Sequence, residues 1–105
     1  MDRKLFIFTR LAVLITALVL VACASAPVQE ISNARQAVAA AQQAGADQSA
    51  PRQMAEARRL LQAAQAALDE GNYSTSRQYA LHAHDEAVKA LRISQRQGSP
   101  GAAPP

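Results

Sequence analysis

The chain has 105 residues, 50% of them hydrophobic but only 4% aromatic, with one cysteine and no tryptophan. That is enough for one small domain, and a lone cysteine excludes both a disulfide framework and a CxxC metal site. The formal net charge of +3 comes mostly from the first ten residues: without Arg3, Lys4 and Arg10 the Lys+Arg count falls from 11 to eight, and without Asp2 the Asp+Glu count falls from 8 to seven. The near-neutral remainder gives no basic patch of the kind that nucleic acid requires.

The first element is an apolar segment in three parts. Arg3, Lys4 and Arg10 make a basic start, Leu11 to Ala22 an apolar core, and Ala22 a small residue at its end. This is the form of an export signal. A membrane-spanning helix needs about 20 apolar residues. Thr9 and Arg10 leave only the 12 residues from Leu11 to Ala22 uninterrupted, a length that suits a signal core of about 7–15 residues. Leu20-Val21-Ala22-Cys23 reads as a bacterial lipobox. In the lipoproteins that this pattern resembles, the signal is cut between the residues standing here as Ala22 and Cys23, and the cysteine is acylated. The same resemblance implies sorting by the next residue. Ala24 stands where an Asp would retain the protein at the inner membrane, so the outer membrane, facing the periplasm, is expected. Residues 1–22 are therefore read as a signal peptide and 23–27 as a lipidated tether, with Cys23 holding the membrane through acyl chains.

Three helices are predicted beyond the tether, over 28–44, 51–69 and 73–96. In the first, which Pro27 can open, Ile31, Ala34, Val38, Ala41 and Gly45 recur at spacings of three and four, the signature of one narrow apolar seam. Gly45 ends it, and Ala46 to Ala50 make a short connection. Pro51 suits the first turn of the second helix and Ser49 is placed to cap it. There Met54, Ala57, Leu61, Ala64 and Leu68 form the seam, widened by Leu60 and Ala67, which predicts that this helix sits in the middle of the fold. Arg52, Glu56 and Arg59 mark an exposed edge. Gly71-Asn72 breaks the chain, with Asn72 as N-cap. The third helix carries a small stripe of Tyr73, Ala80, Ala83, Ala87 and Ala90 beside a bulkier one of Leu81, His84, Val88 and Leu91, with Asp85, Glu86 and Lys89 on the other side. Residues 97–105, rich in Pro, Gly and Ala, are expected to be a disordered tail.

Short connections make these neighbours antiparallel, so the predicted fold is all-α: a signal helix followed by a small three-helix bundle. Alanine occupies 22 of the 83 positions from Cys23 onward. It favours helix and lets axes approach closely, but buries little apolar area per residue. So thin a core is marginal for a monomer, and self-association or a partner is one way to cover what remains.

The stretch Leu60 to Ala87, with Leu60, Ala64, Ala67, Gly71-Asn72-Tyr73, Ala80 and Ala83, resembles one tetratricopeptide-type helix pair, although Ser76 stands where Ala is usual and Ala67 where Tyr is usual. A single unit does not build the concave peptide surface that about three stacked units make. From Ile31 to about Leu91 the chain is also similar to small alanine-rich bacterial lipoproteins with a helical domain of unknown function. The order that carries this likeness is an alanine-spaced helix, Gly45-Ala46, Ala50-Pro51, a Leu/Ala helix, Gly71-Asn72-Tyr73 and a last alanine-spaced helix behind a lipobox. That resemblance brings no catalytic residues. The same domain is found ahead of OmpA-like peptidoglycan-binding modules, none of which is expected here.

No catalytic, cofactor or metal site is expected. His82 and His84 point about 200° apart on a helix and cannot chelate one ion together, and His82 with Glu86 supplies two ligands where a site needs more. Ser74, Thr75 and Ser76 lie at a helix start, where hydroxyls cap or face water. Two function classes follow. One is a lipid-anchored structural or interaction module of the bacterial envelope, with another envelope protein or the cell wall as partner and self-association possible. The other is a periplasmic carrier or chaperone-like binder of peptide or lipid, using a groove beside Tyr73, Tyr79 and the alanine stripe. Neither is an enzyme.

Overall fold

A computed structural model describes residues 2–24 and 26–98, with side chains for 2–16 and 26–98. Among the described residues every regular element is a helix and none is a strand, as expected for an all-α protein. Five helices appear: α1 (Asp2–Ala24), α2 (Val28–Gln43), α3 (Ala46–Ser49), α4 (Pro51–Asp69) and α5 (Tyr73–Gly98). α1 makes no packing contact with the others among the described residues, and its Leu5, Phe6, Ile7 and Phe8 stand exposed. Among those residues no helix is long and apolar enough to cross a membrane.

Glycine sets both corners. After α4 the chain reverses at Gly71, whose φ of 78° is a left-handed conformation that a side chain would disfavour. The Gly71 N–H donates to the Leu68 carbonyl at 2.9 Å and the Asn72 N–H to that of Ala67 at 2.8 Å. These two bonds satisfy the last carbonyls of α4 in a Schellman motif. Gly45, with φ 86°, is likewise left-handed just past α2, and its N–H donates to the Gln42 carbonyl at 3.0 Å. The expected connection after it is not a plain loop, because Ala46–Ser49 closes one further helical turn.

Three buried clusters give the directions of the long helices. Ile31 shares a cluster with Ala64 and Ala80, Ala34 with Leu60 and Ala83, and Val38 and Ala41 with Met54, Ala57, Ala87 and Ala90. The start of α2 thus meets the end of α4 and the start of α5, so α4 runs against both neighbours. Residues equidistant from Asn72 face one another across the α4–α5 pair, as Ala64 with Ala80 and Ala57 with Ala87 do.

The expectation that the 51–69 helix is central is corrected. Among the three long helices α5 packs most extensively on α4 and next on α2, while α2 and α4 touch least. The reason is steric. The buried face of α5 is Ser76, Ala80, Ala83, Ala87, Ala90 and Ser94, with nothing larger than serine or alanine, so two helices can approach it closely. The α4 seam is correspondingly turned. Its buried residues are Met54, Ala57, Leu60, Ala64 and Ala67, whereas Leu61 and Leu68 are half-buried toward the looser α2 side. Leu61 still packs against all three clusters.

Several local expectations change for identifiable reasons. Ser49 does not cap α4. Ala50 holds that position with no side-chain cap, while the Ser49 hydroxyl lies 2.5 Å from that of Ser94. Each hydroxyl also reaches the carbonyl four residues before it, Ser94 that of Ala90 at 3.1 Å and Ser49 that of Gly45 at 3.2 Å, so either can be the donor of the pair. Pro27, read as part of a free tether, is fully buried, and its carbonyl accepts from the Ile31 N–H at 3.1 Å. The bulkier α5 stripe is not interior: Leu81 is 50% exposed, and His84, Val88 and Leu91 are half-buried, because the alanines beside them already fill the contact. Ala44 lies just past α2, and helix continues through Gln97 and Gly98, which the tail was expected to include. The remaining tail positions, 99–105, lie outside the described residues.

Candidate functional site

Cys23, the residue on which the anchor reading turns, lies near the end of α1. Its side chain and that of Ala22 lie outside the described ones. What the structure adds is position: only Ala24, Ser25 and Ala26 separate Cys23 from the buried Pro27.

An open groove of about 460 Å³ with charged walls lies between α4 and α5. One wall carries Glu56, Arg59 and Leu60, and the other Tyr79, His82, Asp85, Glu86 and Lys89. The sequence shows Glu56 and Arg59 as one charged edge and Asp85, Glu86 and Lys89 as another. The antiparallel register about Asn72 sets these edges opposite each other, and that register was the available signal for the groove. Four of its charged side chains are paired along their own helices. Arg59 Nη2 is 2.6 Å from Glu56 Oε1, and Lys89 Nζ is 3.0 Å from Glu86 Oε1. The hydrogen bond from Arg59 holds the Glu56 carboxyl below its usual range. His82 forms part of the wall, whereas His84 does not, and its Nδ1 lies 3.8 Å from Oδ1 of Asp85. Among the described residues no three His, Cys, Asp or Glu side chains are gathered as for a metal ion.

Other polar groups tie helices together. Ser76, expected to cap or face water, is fully buried and donates to the Ala64 carbonyl of α4 at 2.7 Å. A small hydroxyl is accommodated there because its proton reaches a backbone acceptor across the seam. Arg77 reaches Glu30 of α2 at 3.3 Å, and Arg35 Nη2 donates to Gln65 Oε1 of α4 at 2.7 Å. At the other end Arg58 pairs with Asp47 of α3 at 2.6 Å; this hydrogen bond pulls the Asp47 carboxyl below its usual range.

Of the groove expected beside Tyr73, Tyr79 and the alanine stripe, only Tyr79 lines a groove, the one between α4 and α5. Ala80, Ala83, Ala87 and Ala90 are fully buried, Tyr79 is half-buried over Leu60 and Ala64, and Tyr73 stands exposed at the turn. The two tyrosines project from different sides of α5 because they are six residues apart on a helix of 3.6 residues per turn.

These features define a small all-helical domain with an alanine-lined interior and a charged surface. The chain belongs to the family of the domain of unknown function DUF4398, whose family model matches residues 29–100. Neither a curated protein nor a solved structure matches it.

Proposed function

We propose that this chain is a non-enzymatic interaction module of a bacterial envelope, anchored by acyl chains on Cys23 at the outer membrane and facing the periplasm. In this reading residues 1–22 are a signal removed before Cys23, and 28–96 act as a three-helix unit built on a tetratricopeptide-like hairpin. The observation that carries the reading is the separateness of α1. A lipobox ends an apolar helix with no packing contact to α2–α5 among the described residues, so cutting there removes no part of the interior. Two acyl chains, at about 0.8 kcal/mol per buried methylene, would hold the remainder firmly, where one chain binds only marginally.

The module would meet another envelope protein or a cell-wall component through its charged surface. The α4–α5 groove supports a partner of protein type, since it is open and presents both signs of charge. A carrier of apolar ligands would need the alanine stripe, which is interior.

Cys23→Ser tests the anchor. Metabolic acyl labelling should disappear and the protein should leave the membrane fraction unprocessed or released. Intact mass of the membrane-extracted wild type with residues 1–22 still attached and no acyl mass would refute it. Density-gradient fractionation tests the destination, and co-sedimentation with inner-membrane markers would overturn that part alone.

A further inference from the structure

We infer that the lipid-anchored module stands upright on the bilayer, with the α4–α5 turn and the start of α2 against the lipid and the Gly45 corner pointing away. This rests on the Cys23 anchor proposed above and adds an orientation to it. Because Pro27 is buried in the fold, only the three residues Ala24, Ser25 and Ala26 lie between it and Cys23 in the sequence. Four residue steps fully extended span about 14 Å, so the start of α2 must stay near the headgroups.

The same end also carries the groups that suit an interface. Past α1, the exposed large hydrophobic residues are Val28 at 63%, Tyr73 at 41% and Leu81 at 50%. Val28 opens α2 and Tyr73 opens α5. Both belong to the Pro27 end, because Ile31, Ala64 and Ala80 share one cluster there. Tyrosine is enriched where one side of a ring meets lipid and the other water. Glu30, Asp69 and Glu70 outnumber Arg77 at this end, so attraction to anionic lipid is not what holds it. The tether and the two apolar side chains do so, and salt should not release the contact. The opposite end, where Ser49 meets Ser94, is carried outward by α5. With 26 residues at 1.5 Å each, that helix is about 39 Å long. The upright module therefore offers its corner at Gly45 and the exit of α5 to partners well above the membrane.

The test uses the acylated protein purified from membranes and reconstituted into vesicles of phosphatidylethanolamine and phosphatidylglycerol, with a fluorophore on Ser74→Cys or Gln48→Cys, both exposed positions. A lipid-attached quencher should act several-fold more strongly on the label at 74 than at 48, at low and high salt alike. Inserting a long Gly/Ser tether after Ala24 should lower quenching at 74. Circular dichroism checks that both variants keep wild-type helicity. Equal quenching at both positions, in protein that carries acyl mass and floats with the vesicles, overturns the orientation and leaves the anchor standing. Loss of both acyl mass and flotation overturns the anchor, and the orientation with it.

Discussion

Met54→Ala should be the most damaging single truncation in the domain. Met54 is 1% exposed and lies in the largest buried cluster, where every other fully enclosed neighbour except Val38 is an alanine. The substitution removes three heavy atoms. At about 0.8 kcal/mol per methylene-sized group the transfer loss alone is about 2.4 kcal/mol. The cavity adds to this, because alanines have no rotamers with which to fill it, so the total should fall in the upper half of the ~2–5 kcal/mol seen for such truncations. A core of this size supplies only about 3–5 kcal/mol, so much of the population would unfold. Urea and thermal melts followed by circular dichroism, on a form lacking residues 1–24, measure the loss. Met54→Leu keeps the volume and should cost under about 1.5 kcal/mol. Arg59→Ala removes an exposed ion pair and should cost under about 1 kcal/mol. A Met54→Ala loss no greater than that of Arg59→Ala would refute the packing assigned to α4 and α5.

Leu60→Ala should destabilise more than Leu61→Ala in the same melts, because Leu60 is buried and Leu61 only half-buried; the reverse order would restore the seam read from spacing. Gly71→Ala should cost about 1–2 kcal/mol for backbone reasons alone, since a Cβ there would meet no atom within 4 Å, and an unchanged melt would mean that the turn is not left-handed. Asp47 and Glu56 are held below their ordinary values of 3.8 and 4.5, so their contribution is complete above those values and disappears as pH falls through the depressed ones. Acid titration of Asp47→Asn should therefore show a flatter loss of stability than wild type below about pH 4, with the difference diminished at high salt.

Periodicity and punctuation alone determined much of this chain. Spacings of three and four residues identify the α2 seam of Ile31, Ala34, Val38 and Ala41 residue by residue, and Pro51, Gly45 and Gly71-Asn72 mark boundaries that the structure keeps, because helix starts and left-handed stops are local matters of φ and missing N–H groups. The lipobox is local too, being a pattern of contiguous residues. Only the tertiary structure decided which side of each helix is covered most. Leu60 and Leu61 both fit the α4 repeat, and the closer approach of α5 favours Leu60. Ser49 and Ser76 are ordinary capping residues in sequence, yet one faces Ser94, 45 residues away, and the other a carbonyl of the neighbouring helix. The groove had the same cause. Glu56 with Arg59 and Glu86 with Lys89 are legible as pairs within a helix, but their confrontation depends on the register across the α4–α5 turn. Local rules say what each residue prefers beside its chain neighbours. Which helix becomes the shared wall depends on how closely axes can approach, and that is settled by the whole alanine and serine face of α5 at once.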